Sequence, residues 1–126
     1  LWAVAYVVLG GCSDDSFDYF RFWLIARGRE VFYKALEDAD SLCDVFAKLE
    51  DPEDNDYPEQ EELDYAVIEV LEERTDDEDY FNVAAERYSM PLRTYDIDFE
   101  WDEDDEESIR KVCPRTFDKW WGNDVF

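Results

Sequence analysis

Four groupings in this sequence bring together residue types able to do chemistry. The densest is Ser13-Asp14-Asp15-x-x-Asp18-x-x-Arg21, with Arg27 and Arg29 beside the next break in the chain. Carboxylates and guanidinium groups crowded around a helix start would hold a polar ligand. The same side chains would also serve the helix itself. Ser13 would cap it, Asp18 would pair with Arg21, and Arg27 and Arg29 would anchor neighbouring helix ends through bidentate bonds. The structural role is favoured, because charges inside an apolar helix are normally paired. Gly10-Gly11 ahead of that helix invites a phosphate-loop reading, but the Lys of a phosphate loop is missing and the aspartates would repel phosphate. Ser108-Ile109-Arg110-Lys111 has the spacing of a serine–lysine acylase. It has no companion motif, and on an acidic surface helix Lys111 would stay protonated. Asp102-x-Asp104-x-Glu106 imitates the first ligands of a calcium loop without its turn glycine or its closing Glu. None of the four predicts a catalytic residue, a cofactor or a metal site.

Composition narrows the chemistry further. No histidine occurs among the 126 residues, which excludes Ser-His-Asp and Cys-His catalysis, an imidazole base and His-ligated zinc. Aromatics make up 17% of the chain, too many for a disordered acidic tail, so a folded domain is expected. The length suits one such domain. Cys12, Cys43 and Cys113 are widely spaced and odd in number, unlike a disulfide framework or a zinc site. They read as small buried hydrophobes in a reducing compartment, and a cytoplasmic location follows. The apolar run Leu1–Leu9 falls well short of the ~20 residues a membrane span needs. Its Gly10-Gly11-Cys12 tail imitates a lipoprotein signal without the positive leading segment. With no Met and no cap ahead of it, this run reads as a helix entered part-way.

The net charge of -24 is unevenly distributed. Residues 37–108 hold 30 acids against Lys48, Arg74, Arg87 and Arg93, a balance of -26, whereas the two ends hold 6 acids against 8 bases. Such a surface repels nucleic-acid phosphates and anionic membranes, so neither is expected as a direct partner. A basic protein is the partner it suits. Within the acidic stretch, Tyr95, Ile97, Phe99 and Trp101 alternate with Asp96, Asp98, Glu100 and Asp102. That period predicts a short extended segment near 94–101, apolar side chains inward and the carboxylates together on the outer face. Asp96, Asp98, Glu100 and Asp102 are therefore the candidate partner surface. Ser13, Asp14, Asp15, Asp18, Arg21 and Arg29 are the candidate polar cluster.

The elements that must position these residues read as mainly helical. Residues 1–9 form a helix stopped by Gly10-Gly11, and Ser13 caps a second helix over about 14–27. Apolar residues on nearly every face predict that this second helix is central and packed all round. Gly28 ends it. Arg29–Glu37 follows with Val31, Phe32, Ala35 and Leu36 inward. Asp40 or Ser41 then caps a short helix carrying Leu42, Val45, Phe46 and Leu49. Pro58 opens a helix to about Arg74, with Leu63, Ala66, Val67, Val70 and Leu71 as its apolar stripe. Helices over Asp79–Tyr88 and Asp105–Val112 follow, then Pro114 and a last turn with Phe117, Trp120 and Trp121. With no βαβ rhythm, the fold class is a mainly α, single-domain helical bundle with one short extended segment.

The stretch from Val7-Val8-Leu9-Gly10-Gly11-Cys12-Ser13-Asp14-Asp15 through Gly28-Arg29-Glu30-Val31-Phe32, continuing to Asp40-Ser41-Leu42, resembles an uncharacterised bacterial family, domain-of-unknown-function family 4240. The resemblance returns at Phe99-Glu100-Trp101-Asp102 and Pro114-Arg115-Thr116-Phe117. Members of the family begin with helices upstream, so the resemblance implies its carboxyl-terminal portion. It also implies a soluble, cytoplasmic, mostly helical domain, and it names no reaction. A non-catalytic protein-interaction domain with an acidic surface is the expected function. The alternative is an acidic mimic of nucleic acid seated on a DNA- or RNA-binding protein, and an enzyme ranks third. Oligomeric state is not readable from the sequence.

Overall fold

Eight α-helices, most of them short, account for the architecture of a computed structural model that describes residues 1–49, 57–75, 80–89 and 97–123. They are α1 (Trp2–Leu9), α2 (Asp14–Ala26), α3 (Arg29–Glu37), α4 (Cys43–Phe46), α5 (Glu62–Thr75), α6 (Tyr80–Arg87), α7 (Glu106–Val112) and α8 (Pro114–Trp120). A 3-10 turn, Ala39–Leu42, leads into α4. No strand occurs among the described residues. The protein is a mainly helical domain.

Helices this short are marginal in isolation, so packing must hold them. α1 carries no charged residue and buries Ala3, Val4, Ala5, Val7 and Val8. It stops where Gly10 turns left-handed at φ 69°, its N–H bonding back to the Tyr6 carbonyl. A side chain would be strained in that conformation. α2 starts as its sequence predicts: the Ser16 N–H donates to Ser13 Oγ at 3.2 Å, and Asp14 and Asp15 sit in the positive first turn.

The core is largely aromatic. Trp2 stacks on Phe17 at 4.2 Å between ring centroids. Phe17, Phe20, Trp23 and Phe46 then follow one another at 6.4, 5.7 and 5.5 Å, and Trp120 meets Phe46 edge-on at 5.8 Å. Trp23, Phe20, Phe46 and Trp120 are all fully buried. Each such ring pair adds about 0.5–1.5 kcal/mol beyond the area it removes from water.

Several sequence expectations need correction. α2 is not packed all round: Phe17, Phe20, Trp23 and Leu24 are buried, whereas Ile25 and Arg21 are exposed. The short elements around it enclose one side and leave the other to solvent. On α3, Ala35 is buried and Val31 and Phe32 are half-buried, but Leu36 points outward at 54% exposure. α5 begins at Glu62, four residues after Pro58. Pro58 is instead fully buried in the approach to that helix, where the Gln60 N–H donates to the Tyr19 carbonyl at 3.1 Å. Of the α5 stripe, Leu63 and Ala66 are half-buried and Val70 is exposed, while the side chains of Val67 and Leu71 lie outside the described residues.

Neither Asp40 nor Ser41 supplies the cap predicted for the short helix. Asp38 takes that place, its Oδ1 accepting from the Asp40 N–H at 3.1 Å. Asp40 is released to reach across the fold. Its buried carboxylate accepts from the Arg115 N–H at 2.9 Å through Oδ2, and from the Thr116 N–H and hydroxyl at 2.8 and 2.7 Å through Oδ1. These donors open α8, whose first position is Pro114. The carboxylate thus caps a helix 75 residues away, and a dipole and two orphan N–H groups explain why a charge is tolerated there. Beside it Asp44 pairs with Arg115, whose guanidinium holds the Asp44 carboxyl below its ordinary range.

Candidate functional site

The candidate polar cluster resolves into separate structural parts. Ser13 is occupied as the α2 cap, and Asp14 and Asp15 are exposed in its first turn. Asp18 is buried and meets Arg21 at 3.0 Å, the expected i, i+3 pair. Arg21 keeps 48% of its side chain in solvent, so the pair lies on the rim of the core. Arg29 makes no bidentate anchor among the described residues and lies over the Tyr33 ring at 5.6 Å on its own helix. A cation–π contact along α3 stands there in place of a bridge between helices. Arg27 lies over the Trp23 ring at 5.1 Å.

The other motifs are absorbed by α7. Asp105 caps that helix, accepting from the Glu107 and Ser108 N–H groups at 3.2 and 3.4 Å. The Ser108 hydroxyl accepts from the Asp102 N–H at 2.9 Å and faces the Asp105 carbonyl at 2.7 Å. A hydroxyl so engaged serves the turn, and Lys111 is exposed one helical turn on. Asp102 Oδ1 accepts from the Asp104 N–H at 3.0 Å, a side-chain turn that aims its carboxylate at backbone. No three His, Cys, Asp or Glu side chains converge as metal ligands among the described residues.

All three cysteines are free, with Cys43 and Cys113 buried and Cys12 half-buried. Burial pushes the Cys113 and Cys12 thiols up to about 12, Glu59 and Asp14 adding to the effect at Cys12. Thiols held neutral in this way are poor nucleophiles.

The expected partner strip is held differently from its prediction. Asp96 lies outside the described residues. Asp98, Glu100 and Asp102 are exposed, as the alternation requires. Their apolar neighbours, however, are not buried beneath them. Ile97 is 48% and Phe99 41% exposed, and the segment has no partner strand among the described residues. Phe99 rests edge-on against Trp2 at 5.2 Å and beside Trp101 at 5.2 Å, and Trp101 tilts against Tyr6 at 5.3 Å. Ring contacts to α1 therefore fix the segment in place of a hydrogen-bonded ladder.

Between this segment and α1 and α3 lies an open groove of about 410 Å³. Trp2 and Phe17 line it with Ile97, Phe99, Leu36 and Val112. Leu36, Ile97, Phe99 and Val112 are all more than two-fifths exposed. Ile97, Asp98, Phe99 and Glu100 are all exposed, so the predicted alternation does not show in their burial. The groove was not readable from it, because Leu36 and Val112 reach the site from α3 and α7. Four exposed apolar residues from three separate stretches were the only available signal, and only folding brings them together.

The DUF4240 family model, which describes a protein of unknown function, matches residues 1–73. The chain belongs to the DUF4240 family. The matched stretch of DUF4240 runs from α1 into α5 and so includes the aromatic ladder from Trp2 to Phe46, the Asp18–Arg21 pair and Asp40. The Phe99–Asp102 and Pro114–Phe117 segments lie beyond it. No curated protein and no solved structure matches the chain. No helix among the described residues is long and apolar enough to cross a membrane.

Proposed function

We propose that this DUF4240 chain is a protein-interaction domain that receives a basic protein on its acidic surface. The observation that carries the reading is the 97–102 segment, where the exposed carboxylates of Asp98, Glu100 and Asp102 stand on a backbone secured to α1 by Phe99 and Trp101. A held row of like charges has less freedom to lose on association than a floppy acidic tail. The wider -26 balance of residues 37–108 supplies long-range attraction for a cationic partner. Apolar surface set among the carboxylates suits a protein partner better than mimicry of nucleic acid, which requires charges in an extended row at duplex spacing. The unpaired and mostly buried cysteines suit a reducing, cytoplasmic setting.

Binding of a Lys/Arg-rich model peptide, followed by tryptophan fluorescence, tests the reading. Affinity should fall steeply between about 0.1 M and about 1 M salt, as the Debye length shrinks from about 10 to about 3 Å. The combined variant Asp98→Asn, Glu100→Gln, Asp102→Asn should bind several-fold more weakly at the lower salt. The amide oxygen introduced at position 102 can still accept from the Asp104 N–H, so the local turn should survive. Equal binding by both proteins would show that the segment is only a solvated edge.

A further inference from the structure

The junction of α2 and α3 holds a cavity of about 500 Å³, lined by Ile25, Gly28, Arg29, Phe32 and Tyr33. Ile25 and Tyr33 are more than half exposed, so its walls stand open to solvent. Phe32 and Tyr33 meet edge to face at 5.4 Å between ring centroids and form an aromatic corner. Gly28, at φ 89°, puts no side chain into the space. Among the lining residues Arg29 alone is charged. Its guanidinium lies over the Tyr33 ring at 5.6 Å, and no carboxylate pairs with it among the described residues. Arg21, Arg110 and Arg115 each have such a partner, as 36 acids against 12 bases make easy. Arg29 is an exposed cation that the fold has left for something else.

We propose that this cavity binds a small molecule carrying one carboxylate and an apolar, ring-sized body. The carboxylate pairs with the Arg29 guanidinium, whose planar fork of N–H donors matches it bidentately. The body packs on Ile25 and into the Phe32–Tyr33 corner, where an aromatic ring gains edge contacts as well as burial. The volume lies within the range of small-molecule sites, about 300–1,000 Å³, and a mostly apolar lining with one charged group is their usual composition. Charge decides against larger anions. A nucleic acid or an acidic protein is repelled by the net charge of -24, whereas a single carboxylate feels mainly the nearby arginine once salt screens the rest. The adjoining depression on α3 gives the contrast: there Arg29 and Lys34 are balanced by Glu30 and Glu37, and neither sign is favoured. The cavity shares no residue with the 97–102 segment, so the proposal stands whether or not that segment receives a partner.

Titration of the full chain with phenylbutyrate, followed by proton–nitrogen NMR, tests this against the neutral isostere phenylbutanamide. The acid should bind about tenfold more tightly than the amide, the gain from one charge-assisted pair, and should shift the Gly28 and Arg29 backbone signals. Arg29→Gln should remove that preference while leaving the amide's affinity unchanged. Arg29 is exposed at the first position of α3, so the variant should fold, and circular dichroism checks it. Tyr33→Ala, which removes one wall of the aromatic corner, should weaken acid and amide alike. Equal affinity for acid and amide, or no saturation by about 10 mM, would overturn the proposal. Butyrate binding as tightly as phenylbutyrate would overturn it too, by showing an adventitious anion on Arg29 that makes no use of the rings. Tighter binding of a Glu-rich peptide, lost in Arg29→Gln, would make an acidic protein the occupant and overturn it as well.

Discussion

The two ends of the chain and its middle solve the folding problem in opposite ways. Apart from Pro58, every described core side chain buried among apolar neighbours comes from residues 3–46 and 109–120. The described side chains of α5 and α6 leave Tyr65, Val70 and Val83 exposed, and Tyr88 just after α6 is exposed as well. Beyond residue 46 the division follows charge. The ends are nearly neutral and can pack closely, whereas the acidic middle repels itself and gains little from compaction. The first part of the acidic stretch still joins the core through Leu42, Cys43 and Phe46, and between Phe46 and Ile109 the described buried apolar side chains reduce to Pro58.

Mutations at matched positions would break or sharpen that contrast. The largest effect is expected at Trp23, fully buried between Phe20 and Phe46. Trp23→Ala should lower unfolding free energy in urea by about 3–5 kcal/mol. A loss under about 1 kcal/mol, the centre of the range for ordinary substitutions, would mean the aromatic ladder is not the core. Next comes Asp40→Ala, which removes the acceptor for two N–H groups and a hydroxyl at the start of α8. Stranding buried donors costs about 1–3 kcal/mol each, so a total near 3 kcal/mol is expected. If α8 is held by Trp120 alone, the variant will unfold at the wild-type midpoint.

A smaller change is expected from Arg21→Met, about 1 kcal/mol, because the guanidinium side of the pair is half in solvent. The sequence pattern suggested a fully buried pair, whose loss would cost about 3–5 kcal/mol, and calorimetry separates the two values. The smallest effect belongs to the acidic middle: Val70→Ala, at a position 46% exposed, should shift stability by no more than about 0.5 kcal/mol. A loss comparable to that at Trp23 would show that α5 belongs to the core and that the division by charge is false.

Much of the local architecture was legible because its causes are local. Gly10 ends α1, Ser13 caps α2 and Gly28 separates α2 from α3. Each depends on a backbone group within a few residues, so type and spacing suffice. The inward face of α3 was misjudged at Leu36 for the opposite reason. Helical periodicity says which residues share a face but not whether a neighbour arrives to cover it.

From sequence alone came the helical class, the family, the Ser13 cap, the Asp18–Arg21 pair and the exposure of Asp98, Glu100 and Asp102. The family came from a resemblance of motifs, and the others rest on composition or on contacts between near neighbours. Tertiary structure decided that Asp40 serves α8 instead of its own turn, and that Leu36 and Val112 join Ile97 and Phe99 around one groove. Those partners are brought together from distant parts of the chain. Their meeting depends on how the short helices stack around Trp23 and Phe46, and a one-dimensional pattern carries no term for that packing.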